Sequence, residues 1–416
     1  MPPTARLIRT RAMNGIESLT DTQWATDPSV AWIRRGEGMM GWGVAAQANF
    51  RGAERFSRAQ RWVSDWLAQC RIHDDLGIPR TGMMAFASFT FTDDSYGSTV
   101  VIPRTLIGVR DGLRWRTEVT FDGEPDNDDA VVVEHPQTKA ETHATWHDET
   151  ASSAAWQAAV GESVKRIAAG ELDKVVLARE VRADFAQPVA LQPLLRRLAE
   201  RYPQCWTFYV DGLVGATPEL LVRRQRDQVT SRVLAGSVAA SSSDQQTDEN
   251  AKALQSSSKN LLEHEYAVRS VAHALAVHCT DLEVPSAPAV LQLANVQHLA
   301  TDIRANLADG SSALALAASL HPTAAVCGTP TERARLVIRE LEGIDRGRYS
   351  GPVGWIDGNS DGEFAIALRC AQLGPDARTA RLFAGCGLVA DSDAEAELAE
   401  SETKLQAMRW ALGERQ

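Results

Sequence analysis

The sequence predicts an α/β chain of the α+β kind, in which large and mostly antiparallel sheets carry helices on their outer faces. Three observations support this. Apolar runs of strand length are joined by Asp-Gly turns at Asp111-Gly112, Asp211-Gly212 and Asp357-Gly358, and such turns supply the positive φ that tight hairpins need. Other stretches repeat apolar residues at helical spacing. A chain of 416 residues that is 44% hydrophobic and 23% charged also has enough apolar surface for a large core.

Taken in order, Ala53–Ile72 places Phe56, Ala59, Trp62, Val63, Trp66, Leu67 and Cys70 on one helical face. Met83–Phe91, Thr99–Val109 and Leu113–Val119 read as strands. The acidic, turn-rich stretch Thr120–Ser153 is the best candidate for a boundary, dividing an N-terminal segment 1–150 from a second segment 151–416. Beyond it, Trp156–Ala169 reads as a helix, Lys174–Val181 as a strand, and Trp206–Arg223 as a hairpin turning at Asp211-Gly212. Asn260–Cys279 and Thr331–Leu341 read as helices. Tyr349–Leu373 reads as a hairpin, Arg381–Val389 as a strand, and the residues from Ser392 as a final helix.

Composition narrows the function. A net charge of -11 and a pI near 5.4 repel polyanions over most of the surface, which argues against nucleic acid or an anionic membrane as partner. The six cysteines are far apart and form no CxxC pair, as expected of reduced thiols in a cytoplasmic protein. No apolar run approaches the ~18 residues of a membrane span. Lysine is scarce, six against 37 arginines, so a lysine inside an apolar strand stands out.

Lys174 is that residue. In DKVVLAR it shares a face with Val176 and Ala178. An ammonium among apolar neighbours loses hydration, which favours the neutral amine of a general base. A strand-end lysine that reaches solvent is the commoner case for this segment alone. Glu219 enters the apolar run of ATPELLV. Burial there would keep it protonated, as a general acid requires, although a surface glutamate after a proline turn would look the same.

In the final helix, Ser392 and Glu395 have capping-box spacing. Glu397, Glu400 and Lys404 then fall within about 60° of one another on the helical wheel. Two carboxylates at the edge of a buried stripe suit a hard cation. Glu263, at the margin of the apolar face of the Asn260 helix, could add an oxygen ligand or be a solvated flank residue. His264 beside it faces the core and is read as structural. Glycine-containing segments around Gly236-Ser237, His321–Pro330 and Gly385–Gly387 could bring backbone N–H groups close to an anion, and ordinary turns use the same residues. The Gly38–Gly43 run lacks the strand and helix of a dinucleotide-binding loop.

Together these segments resemble the chorismate-utilising enzymes, which include isochorismate, salicylate, anthranilate and aminodeoxychorismate synthases. The resemblance covers roughly residues 150 to 416. It rests on DKVVLAR, ATPELL, LAGS, KNLLEHEYAV, VQHL, HPTAAVCGTP, YSGPVGW, ALRCA, FAGCGLVADSD and ELAESETK, in that order. It implies a single large domain of two similar halves whose sheets are sandwiched, with chorismate and one Mg²⁺ bound between them. Residue by residue, it makes Lys174 the base and Glu219 the acid. Glu263 and Glu400 become metal ligands, with Glu397 acting through water. Gly236, Ser237, His298, Ala325, Tyr349, Arg369, Gly385, Gly387 and Lys404 form the substrate wall.

Lys174 is similar to the lysine of members that use water as nucleophile, and Ala235-Gly236-Ser237 differs from the AGT-type loop of ammonia users. The opening HPT looks like isochorismate synthases, and Ala325 stands where salicylate-forming members tend to carry threonine. The expectation is therefore reversible conversion of chorismate to isochorismate by a cytoplasmic monomer. The N-terminal third, with Gly38–Gly43 and Ala53–Leu67, resembles menaquinone-pathway members. Salicylate synthase, or an isochorismate synthase serving siderophore synthesis, is the alternative. Two positions depart from the pattern: Asn260, where relatives often have an acid, and Cys386, where alanine is common.

Overall fold

The computed structural model describes residues 6–22, 24–121, 144–147, 150–240 and 243–414. Among them, 13 strands form one sheet and 10 a second. One end of the first sheet runs Ala144–His147, Lys174–Phe185, Thr379–Leu388, Cys370–Leu373, Leu213–Thr217 and Trp206–Val210. It continues through Val30–Arg34, Glu37–Trp42, Thr105–Arg110, Leu113–Phe121, Arg6–Ala12 and Cys70–Asp74. The short strand Gly328–Thr329 adds beside Lys174. The second sheet runs Cys279–Glu283, Val296–Leu307, Gln228–Ala239, Leu220–Gln225, Gly362–Ile366, Pro352–Asp357, Met84–Ser88, Ser98–Ile102 and Ala46–Phe50, with Ala289–Gln292 added beside Val296–Leu307. Among the described pairs only Arg6–Ala12 with Cys70–Asp74 is parallel, so the sheets are largely antiparallel.

Two similar halves are visible in the path of the chain. It passes from the first sheet to the second between Trp42 and Ala46, returns to the first for Cys70–Asp74, and after Met84–Ile102 in the second goes back between Ile102 and Thr105. Later it passes over between Thr217 and Leu220, touches the first sheet again at Gly328–Thr329, and returns between Ile366 and Cys370. Strands from before and after residue 150 pair directly, as in Thr207 opposite Ile33 and Val353 opposite Ser88. The stretch read as a boundary, Thr120–Ser153, lies mostly outside the described residues.

The facing surfaces are apolar, and one buried carboxylate pins them together. Trp32 and Trp206 of the first sheet each donate an indole N–H to Glu363 Oε1 of the second at 2.7 Å, and Arg223 pairs with its other oxygen. A buried acceptor is tolerated because each lone pair has a partner. Helices cover the outside. Ser258–Leu275 lies on the Gln228–Ala239 strand of the second sheet and Ala394–Ala411 on the Thr379–Leu388 strand of the first.

Several elements differ from the sequence reading at the points where the chain changes sheets. Thr99–Val109 is two strands in different sheets, divided at Pro103, which has no N–H to continue a ladder. Trp206–Arg223 is a hairpin to Thr217 followed by a strand of the other sheet after Pro218. Tyr349–Leu373 likewise splits into a hairpin ending at Ile366 and a separate strand from Cys370. Both sides of each crossing are buried and apolar, so composition does not change where the partner does. The Asn260 helix ends at Leu275, and Cys279 begins a strand. The final helix is capped by Asp393, which accepts from the N–H groups of Glu395 and Ala396, whereas Ser392 Oγ accepts from Val389 N. Gly38–Gly43 belongs mainly to the strand Glu37–Trp42.

Candidate active site

The two late crossings lie side by side, and between them is a cavity whose empty space, including the solvent at its mouth, is about 560 Å³. Its wall contains Glu219 from the first crossing and Leu368 and Arg369 from the second. Gly236, Ser237, Glu263, His298, Ala325, Tyr349, Gly385, Gly387, Glu400 and Lys404 also line it. Lys174 and Glu397 are not part of that wall but stand immediately behind it. Larger surface clefts occur elsewhere, including one of about 1090 Å³ between residues 91–96 and 335–346. That cleft contains no comparable convergence of buried charges.

Glu219 is 3% exposed. Burial raises its carboxyl to about 8, against the partial opposition of the Leu234 backbone and the charges of Lys174, Arg369 and Lys404. It is therefore a protonated acid at neutral pH. Lys174 is fully buried; its Nζ lies 3.2 Å from Glu263 Oε1 and donates to the Glu263 carbonyl at 3.4 Å. The start of its strand is held by a second layer. The Arg346 guanidinium, paired with Glu342 at 2.5 Å, donates to the carbonyls of Val176 and Val326, each at 2.8 Å, and Glu342 accepts from Ala178 N. This fixes the loop bearing Ala325 against the strand bearing Lys174.

The carboxylates come from helices on opposite sheets. Glu263 is supplied by the Ser258–Leu275 helix, whose start is fixed by Ser257 accepting from Asn260 N. Glu397 and Glu400 come from the first turns of the final helix. Each has a lysine partner: Lys174 for Glu263 at 3.2 Å, Lys259 for Glu397 at 2.6 Å, and Lys404 for Glu400 at 2.5 Å. Ser237 Oγ also donates to Glu400 at 2.7 Å. Burial pushes Glu400 up, but Lys404 and the hydrogen bonds of Lys404 and Ser237 outweigh it and hold the carboxyl down at about 2. Ligand atoms of Cys386, Glu397 and Glu400 lie within 4.8 Å of one another. The thiol is taken up by the Glu397 carbonyl, so the donors on offer are carboxylate oxygens, the chemistry of a hard divalent cation. Gly387 makes room for this: a Cβ there would stand 1.9 Å from Glu263 Oε1.

The rest of the wall suits an anion. Arg369 sits at the crossing with φ 48, and its Nη2 donates to His298 Nε2 at 2.9 Å. Since arginine is always a donor, the histidine proton is on Nδ1, which points to Gly236 O at 3.3 Å. Burial, then Arg369 and Lys404, depress His298 to about 3. It is a neutral prop for the arginine and not an imidazolium acid. Tyr349, stacked on Phe383 at 5.1 Å, is pushed by burial to about 12 and stays a phenol donor. Lys404 also donates to Gly385 O at 2.8 Å. Gly236, with φ +74, turns the chain where a Cβ would meet Asn260 at 3.0 Å. His264 bonds Ala235 O and Thr301 and is structural, as its core-facing position suggested.

Lys259 was not singled out in the sequence. Its signal was available: it is one of only six lysines and precedes Glu263 by one helical turn.

A buried acid with an amine nearby, a carboxylate cluster and an arginine–lysine wall around one cavity define a class of enzyme acting on a small anion. The model of the chorismate binding enzyme family matches residues 9–413, and the chain belongs to that family. The isochorismate synthase DhbC of Bacillus subtilis (strain 168) is 38% identical over 317 residues, covering 73% of this chain and 76% of the relative. The salicylate biosynthesis isochorismate synthase of Pseudomonas aeruginosa is 32% identical over 409 residues, 92% of this chain and 85% of the relative. Among solved structures, MenF, the menaquinone-specific isochorismate synthase of Escherichia coli, superimposes with a TM-score of 0.77 at 25% identity, covering 100% of this chain and 96% of that one. No helix among the described residues is long and apolar enough to cross a membrane.

Proposed function

We propose that the chain is an isochorismate synthase that moves the hydroxyl of chorismate from C4 to C2 with the help of Mg²⁺. The observation that carries this reading is a carboxyl kept protonated by burial on the cavity wall, Glu219, with the amine of Lys174 behind that wall and close enough for its charge to act on the carboxyl. Lys174 is the group that takes a proton from water as the oxygen bonds to C2. The ring double bond shifts, and Glu219 gives its proton to the hydroxyl leaving C4. One water enters and one leaves, so the reaction is an isomerisation and runs readily in both directions. Arg369, propped by His298, together with Tyr349, Lys404 and the backbone at Gly236 and Gly385, holds the two carboxylates.

Glu263 and Glu400 would hold Mg²⁺ directly and Glu397 through water. The ion's contribution when bound is charge neutralisation and orientation of the ring carboxylate. The oxygen-only donors and the space left by Gly387 support this. The same reading makes the protein a cytosolic monomer. Menaquinone synthesis is the destination suggested by the N-terminal third, and the salicylate and siderophore routes compete with it.

Ala325 on the cavity wall brings no hydroxyl near the substrate side chain, which favours release of isochorismate over expulsion of pyruvate. Purified protein given chorismate and Mg²⁺ should form isochorismate with little pyruvate, resolved by chromatography and a coupled pyruvate assay. Ala325→Thr should gain some pyruvate release. Salicylate and pyruvate as the main wild-type products at neutral pH would replace this reading with the lyase.

A further inference from the structure

Each of the three carboxylates at the cavity is matched by one lysine, and the three lysines differ in what they can do next. Lys174 is fully buried, and the side chain of Lys404 is 12% exposed and anchored to Gly385 O. Lys259 is different. Its side chain is 31% exposed while its partner Glu397 is 2% exposed, so the ammonium reaches in from the solvent side and can retreat to water. It bridges the first turn of one helix to the first turn of the other, joining the elements that carry Glu263 and Glu400. No step of the reaction uses it.

With three ammoniums against three carboxylates, the cluster is electrically balanced before any cation arrives. A divalent ion entering it meets no surplus of negative charge and is repelled by the ammoniums already there, Lys259 on the water-linked Glu397 among them. Among the three, only Lys259 can give up its carboxylate without becoming a buried unpaired charge, which would be costly.

We propose that Lys259 is a built-in competitor for the metal, an ammonium that occupies Glu397 in the cation-free site and is displaced as a divalent cation binds, so that it sets the affinity of the site. The proposal rests on the reading of the glutamates as a metal site. It makes Lys259 a positioning residue that keeps the cluster neutral and compact when empty and weakens metal binding.

The opposite role is also physically coherent. A lysine that merely orients Glu397 for the metal would strengthen binding, so its removal would weaken it. The two roles predict opposite signs. Mg²⁺ binding is measured by titration calorimetry, and Mn²⁺ binding by electron paramagnetic resonance, on the full chain without chorismate, with thermal melts confirming the fold.

Lys259→Met removes the charge and keeps the stem, and Lys259→Gln removes the charge but can still donate to Glu397. Both should bind either ion roughly tenfold more tightly, as expected for loss of one nearby like charge. Lys259→Arg should stay close to wild type. Unchanged or weaker binding by both neutral variants overturns the proposal while leaving the metal site intact. If the wild type binds neither ion, with or without chorismate, the metal reading itself fails and this inference with it.

Discussion

Lys174→Arg should lower turnover of chorismate by ~10²- to 10⁴-fold, the usual contribution of a general base, while the protein still folds and binds chorismate. Arginine is the informative substitution because it separates two roles. The Lys174 side chain is fully buried against Glu263 at 3.2 Å, so replacement by alanine would remove the base and also leave a carboxylate without its partner. Arginine keeps a positive charge for Glu263 but cannot act as a neutral base. Lys174→Ala should be equally inactive and, in addition, less stable. The check is kcat and KM with chorismate alongside a thermal melt. An arginine variant with turnover near that of the wild type would reduce Lys174 to a structural ion pair.

Glu219→Gln should likewise cost ~10²- to 10⁴-fold in kcat, and at the same time make the protein more stable. Burial raises the folded carboxyl to about 8 from its ordinary value of 4.5. Between those values the folded chain holds a proton that the unfolded chain has released, so stability owed to this group falls as pH rises from 4.5 to about 8 and is level beyond. Glutamine does not titrate and escapes that cost, on the order of 4 kcal/mol at pH 8. The variant should therefore melt above the wild type at pH 8, with the gap closing toward pH 5. In the wild type, kcat/KM should fall above pH 8 as the acid ionises. A variant that melts lower at pH 8, or a wild type whose activity keeps rising past pH 9, would contradict the assignment.

The sequence made much of this site legible because its residues sit in short segments whose character is local. Lys174 in an apolar strand and Glu219 in an apolar run stood out locally, although a surface position was the commoner reading of either segment alone, and both are buried. Glu397, Glu400 and Lys404 shared a helical face by spacing alone, and Glu400 and Lys404 do form an ion pair. What could not be read is which sheet a strand joins. Pro103, Pro218 and the residues before Cys370 mark changes of sheet inside what looked like single strands or hairpins. Those changes form the cavity, because Glu219 and Arg369 stand at two of them. The long-range partners were also beyond reach. Nothing near Glu363 in sequence announces the indoles of Trp32 and Trp206, and nothing near Glu397 announces Lys259.

The claim on which the account depends is that water, activated in this cavity, becomes the new hydroxyl at C2. Purified protein incubated briefly with chorismate and Mg²⁺ in H₂¹⁸O, with the isochorismate formed analysed by mass spectrometry, tests it directly. The account predicts one ¹⁸O in the ring hydroxyl at C2 of the product. Isochorismate whose C2 hydroxyl retains ¹⁶O would mean that the hydroxyl migrates without solvent, and would contradict the roles given to Lys174 and Glu219.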